Sequence, residues 1–442
     1  MTILETKSTG CFQNYFFPTL FGLIFNALIT VVDGIFVGQG VGPDGIAAVN
    51  IIAPLFMVVT GIGLMLGIGC SVVSGIAMAQ GDSDKACVNM TQASVLGAVL
   101  IGMLVTVLSV SGEGMTRLLG CSDTLMPEAL DYLAWLLPGM FFLVFECIGM
   151  MVIRLDGSPK FAMMCNIVPA VINFVFDYIL VFPCGMGVKG AAIATSASIA
   201  VGTFMVLAYF IRFSYVIKFR WSVAGFYSNI WRQVCIGSSA FITEVAMSVM
   251  MLTGNYVFMK YYGEVGVAAF SIACYLFPVM FMMSNAVAQS AQPLISYNYG
   301  TGAFGRVKEA FVLSVKVALL CGVMAGGTIG LFADNIVALF IDPSCEAACL
   351  ARAGLPVYAT CAVFFALNIS FIGYYQSIEK AMKAMAFTLM RGAVVLVPMF
   401  VVMPVLFPGE GVWAAIPASE AITLVLVSAD YLFVRRRLYS MA

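Results

Sequence analysis

The sequence predicts an all-α integral membrane protein with twelve transmembrane helices in two pseudo-symmetric halves. Of its 442 residues, 62% are hydrophobic and only 10% are charged, and the mean hydropathy is +1.03. Soluble domains usually carry about 25% charged residues. A transmembrane helix needs about 20 apolar residues, and with its loop roughly 35, so the length allows about twelve spans. Barrel strands are excluded because the apolar runs are long and do not alternate.

The apolar runs lie between charged or Gly/Pro-rich breaks. In the first half they predict spans at 12–37, 46–78, 88–111, 128–153, 161–182 and 188–211. In the second half they predict spans at 233–259, 266–298, 305–332, 350–377, 384–406 and 411–434. The predicted domains are therefore an N-lobe at 1–211, a basic cytoplasmic linker at 212–232 and a C-lobe at 233–442.

The distribution of basic residues predicts the orientation. With a cytoplasmic N-terminus, only four of the 21 lysines and arginines lie outside, namely Arg117, Lys189, Lys260 and Arg352. This count places Arg391 in a cytoplasmic segment. Because cytoplasmic loops are enriched in Lys and Arg, we expect a multi-pass protein of the inner (plasma) membrane with both termini in the cytoplasm. A net charge of −1 and thinly spread bases leave no basic stripe for nucleic acid.

Three segments of the first half recur in the second half. They pair as Asp33–Ile51 with Gly254–Ile272, Ile76–Gly81 with Ile295–Gly300, and Gly187–Ile193 with Gly411–Ile416. Six spans return the chain to the side at which it entered, so the two halves form a parallel repeat about an axis along the membrane normal. In such repeats we expect substrate between the halves, near the middle of the membrane.

Several motifs at these positions resemble the multidrug and toxin extrusion (MATE) family over essentially the whole chain. They are Asp33 with Phe36-Val37-Gly38, Asn173 and Asp177 in Asn-x-x-x-Asp-Tyr-Ile-Leu, the start Gly187–Ala192, and the Tyr-Asn-Tyr-Gly end of the eighth span. The resemblance implies two six-helix lobes around a central cavity that opens alternately to either face. It also implies a secondary active antiporter that exports lipophilic, cationic drugs or toxins in exchange for protons or sodium.

The resemblance also implies where the coupling ion binds. At the matching positions, the cation-coupling residues of the N-lobe are Asp33, Asn173, Asp177 and Thr195. A sodium ion would lie at Asp33, Asn173 and Asp177. Two carboxylates held close together in a low-dielectric interior resist double ionisation, so at least one of them is expected to bind a proton unless a cation neutralises both.

Two further positions follow from the resemblance. Pro18 falls where some members bend the first helix, which predicts a gating role, and Glu244 falls on a seventh-span glutamate that another branch uses in a second, C-lobe site. The chain departs from the family pattern at two places. The fourth-span amide is not evident near Met150, and the tenth-span carboxylate that partners the glutamate is replaced by Asn368 and Tyr374 nearby.

Apart from the resemblance, the acids inside predicted spans are themselves candidate functional residues. A carboxylate at the bilayer centre costs about 2.5 to 3.5 kcal/mol on insertion scales. The acids inside predicted spans are Asp33, Glu146, Asp177, Glu244, Glu420 and Asp430. Asn173 and Asp177 are four residues apart and share a helix face, so they offer oxygens to a hard cation or a proton. An interhelical hydrogen bond is the structural alternative.

The other acids are less decisive. For Glu146, Glu244 and Glu420 a functional role and a structural role both remain open. Asp430 lies near the inner interface, and we expect it to pair with Arg435 or a neighbour.

The 29 methionines and 35 phenylalanines favour an adaptable, aromatic-lined cavity, because thioethers and rings repack around differently shaped ligands. We name Phe281, Met282, Met283, Tyr374 and Tyr375 as cavity candidates. The expected ligands are small amphipathic or cationic molecules, the expected surroundings are the lipid bilayer, and we expect a monomer without a cofactor.

Other classes fit less well. The chain has no histidine and no metal-spaced ligand set, which disfavours a membrane enzyme. The glycines at 61, 63, 67 and 69 are not followed by a lysine, so they predict close helix packing rather than a phosphate loop. An ion channel is compatible with the hydropathy but not favoured by the repeat. The alternative within transport is a lipid-linked saccharide flippase of the same superfamily, which would need basic residues at mid-span, and these are nearly absent.

Overall fold

The protein is almost entirely helical in a computed structural model. The structure describes residues 8–41, 43–119, 121, 123, 125–222, 225–341, 343–409 and 411–439. Some side chains within the helices also lie outside the described residues, among them those of Asp33 and Arg435.

Six long helices follow one another in the first half of the chain. They are α1 (Ser8–Gly40), α2 (Pro43–Ala79), α3 (Ser83–Leu118), α4 (Met126–Leu155), α5 (Pro159–Val181) and α6 (Gly187–Ala208). Short breaks carry the expected signals. The Asp82 side chain caps α3 by accepting the backbone N–H of Lys85 at 3.0 Å, and α4 and α5 each have a proline in the first turn, where its missing N–H costs nothing. A π-helical turn, Tyr209–Phe213, continues α6.

The second half is more segmented. Its helices are α7 (Phe226–Gly300), α8 (Phe304–Leu331), α9 (Ala333–Phe340), α10 (Glu346–Ala359), α11 (Cys361–Ser377), α12 (Ala381–Leu389), α13 (Leu396–Leu406) and α14 (Gly411–Tyr439). Within α7 the backbone breaks at Gly263, whose φ of 62° favours glycine, so α7 provides two spans. A π-helical turn, Met390–Val394, joins α12 to α13.

Eleven segments of the described residues are long and apolar enough to cross a membrane. They correspond to every predicted span except the first, which falls on α1. Large apolar side chains such as Val110 and Leu331 are more than four-fifths exposed, as expected where lipid rather than water surrounds the helices. The protein is therefore an all-helical, multi-pass membrane protein. The total of twelve spans and the orientation of the termini stay predictions.

The contacts divide the chain into two compact units. The first unit comprises Met1–Glu244 and Ser296–Phe304, and the second comprises Val245–Ile295 and Gly305–Ala442. The two ends of α7 thus belong to the first unit and its middle to the second. The lobe boundaries at 211 and 233 stay a prediction. The recurring motifs occupy matching helix ends, since Gly187 begins α6 and Gly411 begins α14.

Glycines bring α2 close to its neighbours in the first unit. A Cβ on Gly69 would collide with the backbone of Gln233 in α7, and a Cβ on Gly63 would lie 2.8 Å from the Cβ of Cys147 in α4. Real Cβ atoms do not approach this closely, so α2 packs here only because these positions carry no side chain. The prediction that these glycines serve helix packing is confirmed.

The beginning of the predicted linker is tied to the first unit. The carboxylate of Asp156, just after α4, accepts the Tyr209 hydroxyl at 2.8 Å. It also accepts the backbone N–H groups of Tyr215, Val216 and Ile217 at 2.7, 3.0 and 3.1 Å. One carboxylate therefore fixes the path of the chain as it leaves α6.

Candidate ion-coupling site

The inner face of α5 is polar. Asn166, Asn173 and Asp177 are 4%, 5% and 1% exposed, whereas the residues beside Asp177, Phe176 and Tyr178, are more than 40% exposed. Residues spaced by four or seven along a helix share one face. The sequence of α5 therefore turns its amides and its carboxylate into the first unit and its aromatic rings outward.

Three of the predicted coupling residues come together between α5 and α6. The Asn173 amide Nδ2 lies 3.5 Å from the hydroxyl oxygen of Thr195, and Asp177 follows one turn later on the same face of α5. An amide oxygen, a hydroxyl and a carboxylate are the hard oxygen donors that a small cation prefers, and the carboxylate alone can take a proton. Among the described residues, no three His, Cys, Asp or Glu side chains are grouped as metal ligands, so any ion here would rely on amide and hydroxyl oxygens as well.

The side chain of Asp33, the fourth predicted coupling residue, lies outside the described residues. At this level α1 packs against the part of α5 that carries Asn173, because the ring of Phe36, three residues after Asp33, lies 5.3 Å from that of Phe174. The helix α1 continues from Ser8 to Gly40 with Pro18 inside it. The predicted gating bend at Pro18 stays a prediction.

Two more acids are buried in the first unit. Glu146 on α4 is 7% exposed and Glu244 on α7 is 5% exposed. A Cβ added at Gly61 of α2 would lie 3.5 Å from the Cβ of Glu244. No hydrogen bond or ion pair joins either carboxylate to another residue that the structure describes.

The negative charge of Glu420 on α14 is compensated by an arginine. Glu420 accepts Arg391 Nη2 at 3.0 Å and Nε at 3.1 Å, and it accepts Asn368 Nδ2 at 2.7 Å. The guanidinium also lies 4.3 Å above the ring of Phe365, a cation–π contact. Arg391 is ten residues inside the candidate span 381–406, so its predicted place in a cytoplasmic segment is wrong. Asn368, noted from sequence as a neighbour of a seventh-span site, binds Glu420 instead.

Asp430 forms an ion pair, as expected. Lys383 Nζ lies 2.6 Å from its Oδ1, and the Tyr375 hydroxyl donates to its Oδ2 at 2.6 Å. The prediction that Asp430 pairs with a neighbour is confirmed, and the partner is a lysine from α12. The Arg435 side chain lies outside the described residues.

The cavity candidates lie in the second unit. The ring of Phe281 packs 6.1 Å from that of Phe365, and the ring of Tyr374 packs 4.4 Å from that of Phe311. Both side chains are buried. The partly buried candidates are Met282 and Met283. A role for any of them in binding substrate stays a prediction.

Many apolar spans, an internal repeat and acids buried within helices define a multi-pass membrane transporter. Residues 18–179 and 240–402 match the MatE family. The chain belongs to this family, and the resemblance seen in its sequence motifs is confirmed.

Relatives and solved structures agree with this assignment. The multidrug export protein MepA of Staphylococcus aureus is 24% identical over 95% of this chain and 93% of its own length. A FAD transporter of Shewanella oneidensis is 26% identical over 75% of this chain and 74% of its own length. A crystal structure of MATE in the straight conformation matches with a TM-score of 0.92 at 22% identity, covering 99% of this chain and 98% of that one.

Proposed function

We propose that the protein exports lipophilic small molecules, cations among them, in exchange for protons or sodium ions by alternating access. The observation that carries the proposal is the cluster of Asn173, Thr195 and Asp177 in the first unit, in which Asn173 and Asp177 are buried. An acid with 1% exposure inside an apolar helix is costly and calls for a role. The relative named as a multidrug export protein supports the class of substrate.

The coupling follows from charge. An ionised Asp177 favours whichever conformation brings it nearest to water or to a cation, whereas a protonated or cation-bound Asp177 is tolerated in a closed, apolar site. Ion binding can drive transport only by favouring one conformation over the other. Asn173 and Thr195 supply oxygens that orient the ion, so their effect is on affinity, whereas the charge of Asp177 is required for coupling.

Export of a fluorescent lipophilic cation, measured as its uptake into the lumen of everted vesicles, tests this proposal. The proton and sodium gradients are collapsed separately in wild type and in Asp177→Asn. We expect one gradient to be required in wild type and Asp177→Asn to retain drug binding without gradient-driven efflux. Asp123→Asn, which changes an acid whose side chain is 84% exposed, is the matched control. Parental efflux by Asp177→Asn at normal expression would refute the proposal.

A flavin dinucleotide is a second candidate substrate, because one relative is named as a FAD transporter. Uptake of FAD by the same vesicles, set against that of the fluorescent cation, decides between them. The flippase alternative gains little from the buried Arg391. Its charge is already neutralised by Glu420, so it does not offer a free base to a pyrophosphate.

A further inference from the structure

We infer that Glu146 is a second binding site for the coupling proton or cation within the first unit. The sequence alone left its role open. The inference rests on the proposed ion-coupled function. It extends that function, because it adds a second binding site to the path of the same ion. The site itself is argued from the position and surroundings of the Glu146 carboxyl group.

The carboxyl group of Glu146 fills a notch between three helices. Glu146 lies nine residues before the end of α4 at Leu155. A Cβ at Gly202 in α6 would overlap this carboxyl group and would lie 3.0 Å from the ring of Pro169 in α5. The notch therefore exists because position 202 carries no side chain, and it holds an acid in the interior of the unit.

Nothing that the structure describes neutralises this acid by direct contact. On its own helix, Cys147 is adjacent, and the Arg154 guanidinium donates to the sulfur of Met151 rather than to Glu146. Cys165 on α5 is close enough to Glu146 for the two groups to interact electrostatically. The second acid, Glu244 of α7, is, like Glu146 and Arg154, close enough to the Cys147 thiol to interact with it electrostatically.

Two further neighbours of α4 present glycines at this point. The helix α6 presents Gly202 to the carboxyl group, and α2 presents Gly63 to Cys147. The charges around Cys147 are therefore two carboxylates and one guanidinium, an excess of negative charge inside a membrane span. Burying a carboxylate without a partner is costly enough that the group normally becomes neutral or binds a cation.

The backbone beside Glu146 adds to the need for a donor. Pro169 has no N–H, so the carbonyl oxygen of Cys165, four residues earlier in α5, lacks its usual helical hydrogen bond. The backbone at Pro169 therefore supplies no hydrogen-bond donor to the carboxyl group.

The second unit shows what occupies the equivalent place when the charge is fixed. Asn368 lies nine residues before the end of α11, as Glu146 does in α4, and Arg391 lies ten residues after the start of α12, as Pro169 does in α5. At that junction Arg391 neutralises Glu420. The first unit has an acid but a proline in place of the arginine, so we assign the missing positive charge to a mobile ion.

Glu146 also lies on the way from the predicted coupling cluster to the α4–α5 turn. From Pro169 to Asp177 is eight residues along α5, or about 12 Å at 1.5 Å per residue. Asn173 lies between them on the same buried face. An ion released from Asp177 therefore has a second carboxylate about two helical turns away.

Infrared difference spectroscopy of the purified protein tests this inference without requiring transport. Spectra are recorded across a pH series, with and without sodium, for wild type, Glu146→Gln and Asp177→Asn. We expect Glu146→Gln to lose one pH- or sodium-dependent carboxyl signal and to retain the one that Asp177→Asn loses. Spectra of Glu146→Gln that superimpose on wild type in every condition would overturn the inference.

A second pair of variants guards against misfolding. Gly202→Ala adds a methyl group where the Glu146 carboxyl lies and should shift the same signal. Gly102→Ala adds a methyl group with no atom within 4 Å and should leave the spectrum unchanged. If Glu146→Gln does not elute as a monodisperse protein, Gly202→Ala decides, and an unshifted signal there overturns the inference. If the Glu146 signal is present but wild-type vesicles show no ion-driven export, the proposed function fails and the ion site stands.

Discussion

In the second unit Glu420 is held by Arg391 and Asn368, whereas at the equivalent junction of the first unit Glu146 faces Pro169 and Gly202. The two junctions have corresponding helices, but the acid is on α4 in the first unit and on α14 in the second, and only the second unit has an arginine beside it. A permanent cation turns a buried acid into a fixed crosslink between helices, because separating the pair would leave two buried charges. An acid without that cation is available to an ion that comes and goes. We therefore expect the second unit to be the more rigid at this level and the first unit to carry the coupling.

The largest effect on stability is expected from breaking the ion pair between Arg391 and Glu420. Arg391→Met should destabilise the protein by about 3 to 5 kcal/mol, because Glu420 would be left buried and charged. Thermal unfolding in detergent, with expression level as a second readout, measures this change.

A double variant tests whether the loss of stability comes from the unpaired charge of Glu420. Arg391→Met combined with Glu420→Gln removes both charges and keeps an acceptor for Asn368, so it should recover most of the lost stability. If the double variant were as unstable as the single one, the ion pair would not be the reason for the loss.

An intermediate effect is expected at the coupling cluster. Asn173→Ala removes one oxygen ligand but no charge, so the ion concentration for half-maximal efflux should rise roughly tenfold, the equivalent of about 1.4 kcal/mol. Asn166→Ala changes the same residue type on the same face of α5 and serves as the control. Equal ion dependence in the two variants would remove Asn173 from the site.

The smallest effect is expected at Tyr375. Its hydroxyl donates to Asp430, which Lys383 also holds, so Tyr375→Phe should cost about 1 kcal/mol or less. The range of exported compounds should not change, because the ring stays in place. A changed substrate range would instead support the predicted cavity role of Tyr375.

Apolar patterning predicted most of the helices, because a bilayer demands long apolar runs and the breaks between them are short. The predicted ends agree with the structure to within a few residues for spans such as 411–434, which the described part of α14 covers. The break in α7 at Gly263 also falls between two predicted spans. The packing role of Gly63 and Gly69 could be predicted because small residues are the general means of close helix contact in membranes.

The pairing of buried charges could not be read from the sequence. Assigning each base to its nearest loop places Arg391 among the cytoplasmic bases, although ten residues of span precede it. Its partner Glu420 is 29 residues away, on a helix whose register the sequence does not fix. Likewise, the notch at Gly202 depends on how α4, α5 and α6 pack, and a lone glutamate in an apolar run gives no hint of it. A π-helical turn at Met390–Val394 is a local irregularity that hydropathy does not report.

The most direct test is the ion-driven charge movement recorded from proteoliposomes on a solid-supported membrane. Asp177→Asn is compared with the double variant Arg391→Met and Glu420→Gln, since each removes one buried acid, from the first and the second unit respectively. The account predicts that the drug-dependent current triggered by a proton or sodium step disappears in Asp177→Asn, where only ion binding at Glu146 can still move charge, and persists in the double variant. Persistent currents in Asp177→Asn together with their loss in a well-folded double variant would contradict it, and would assign the coupling to the second unit.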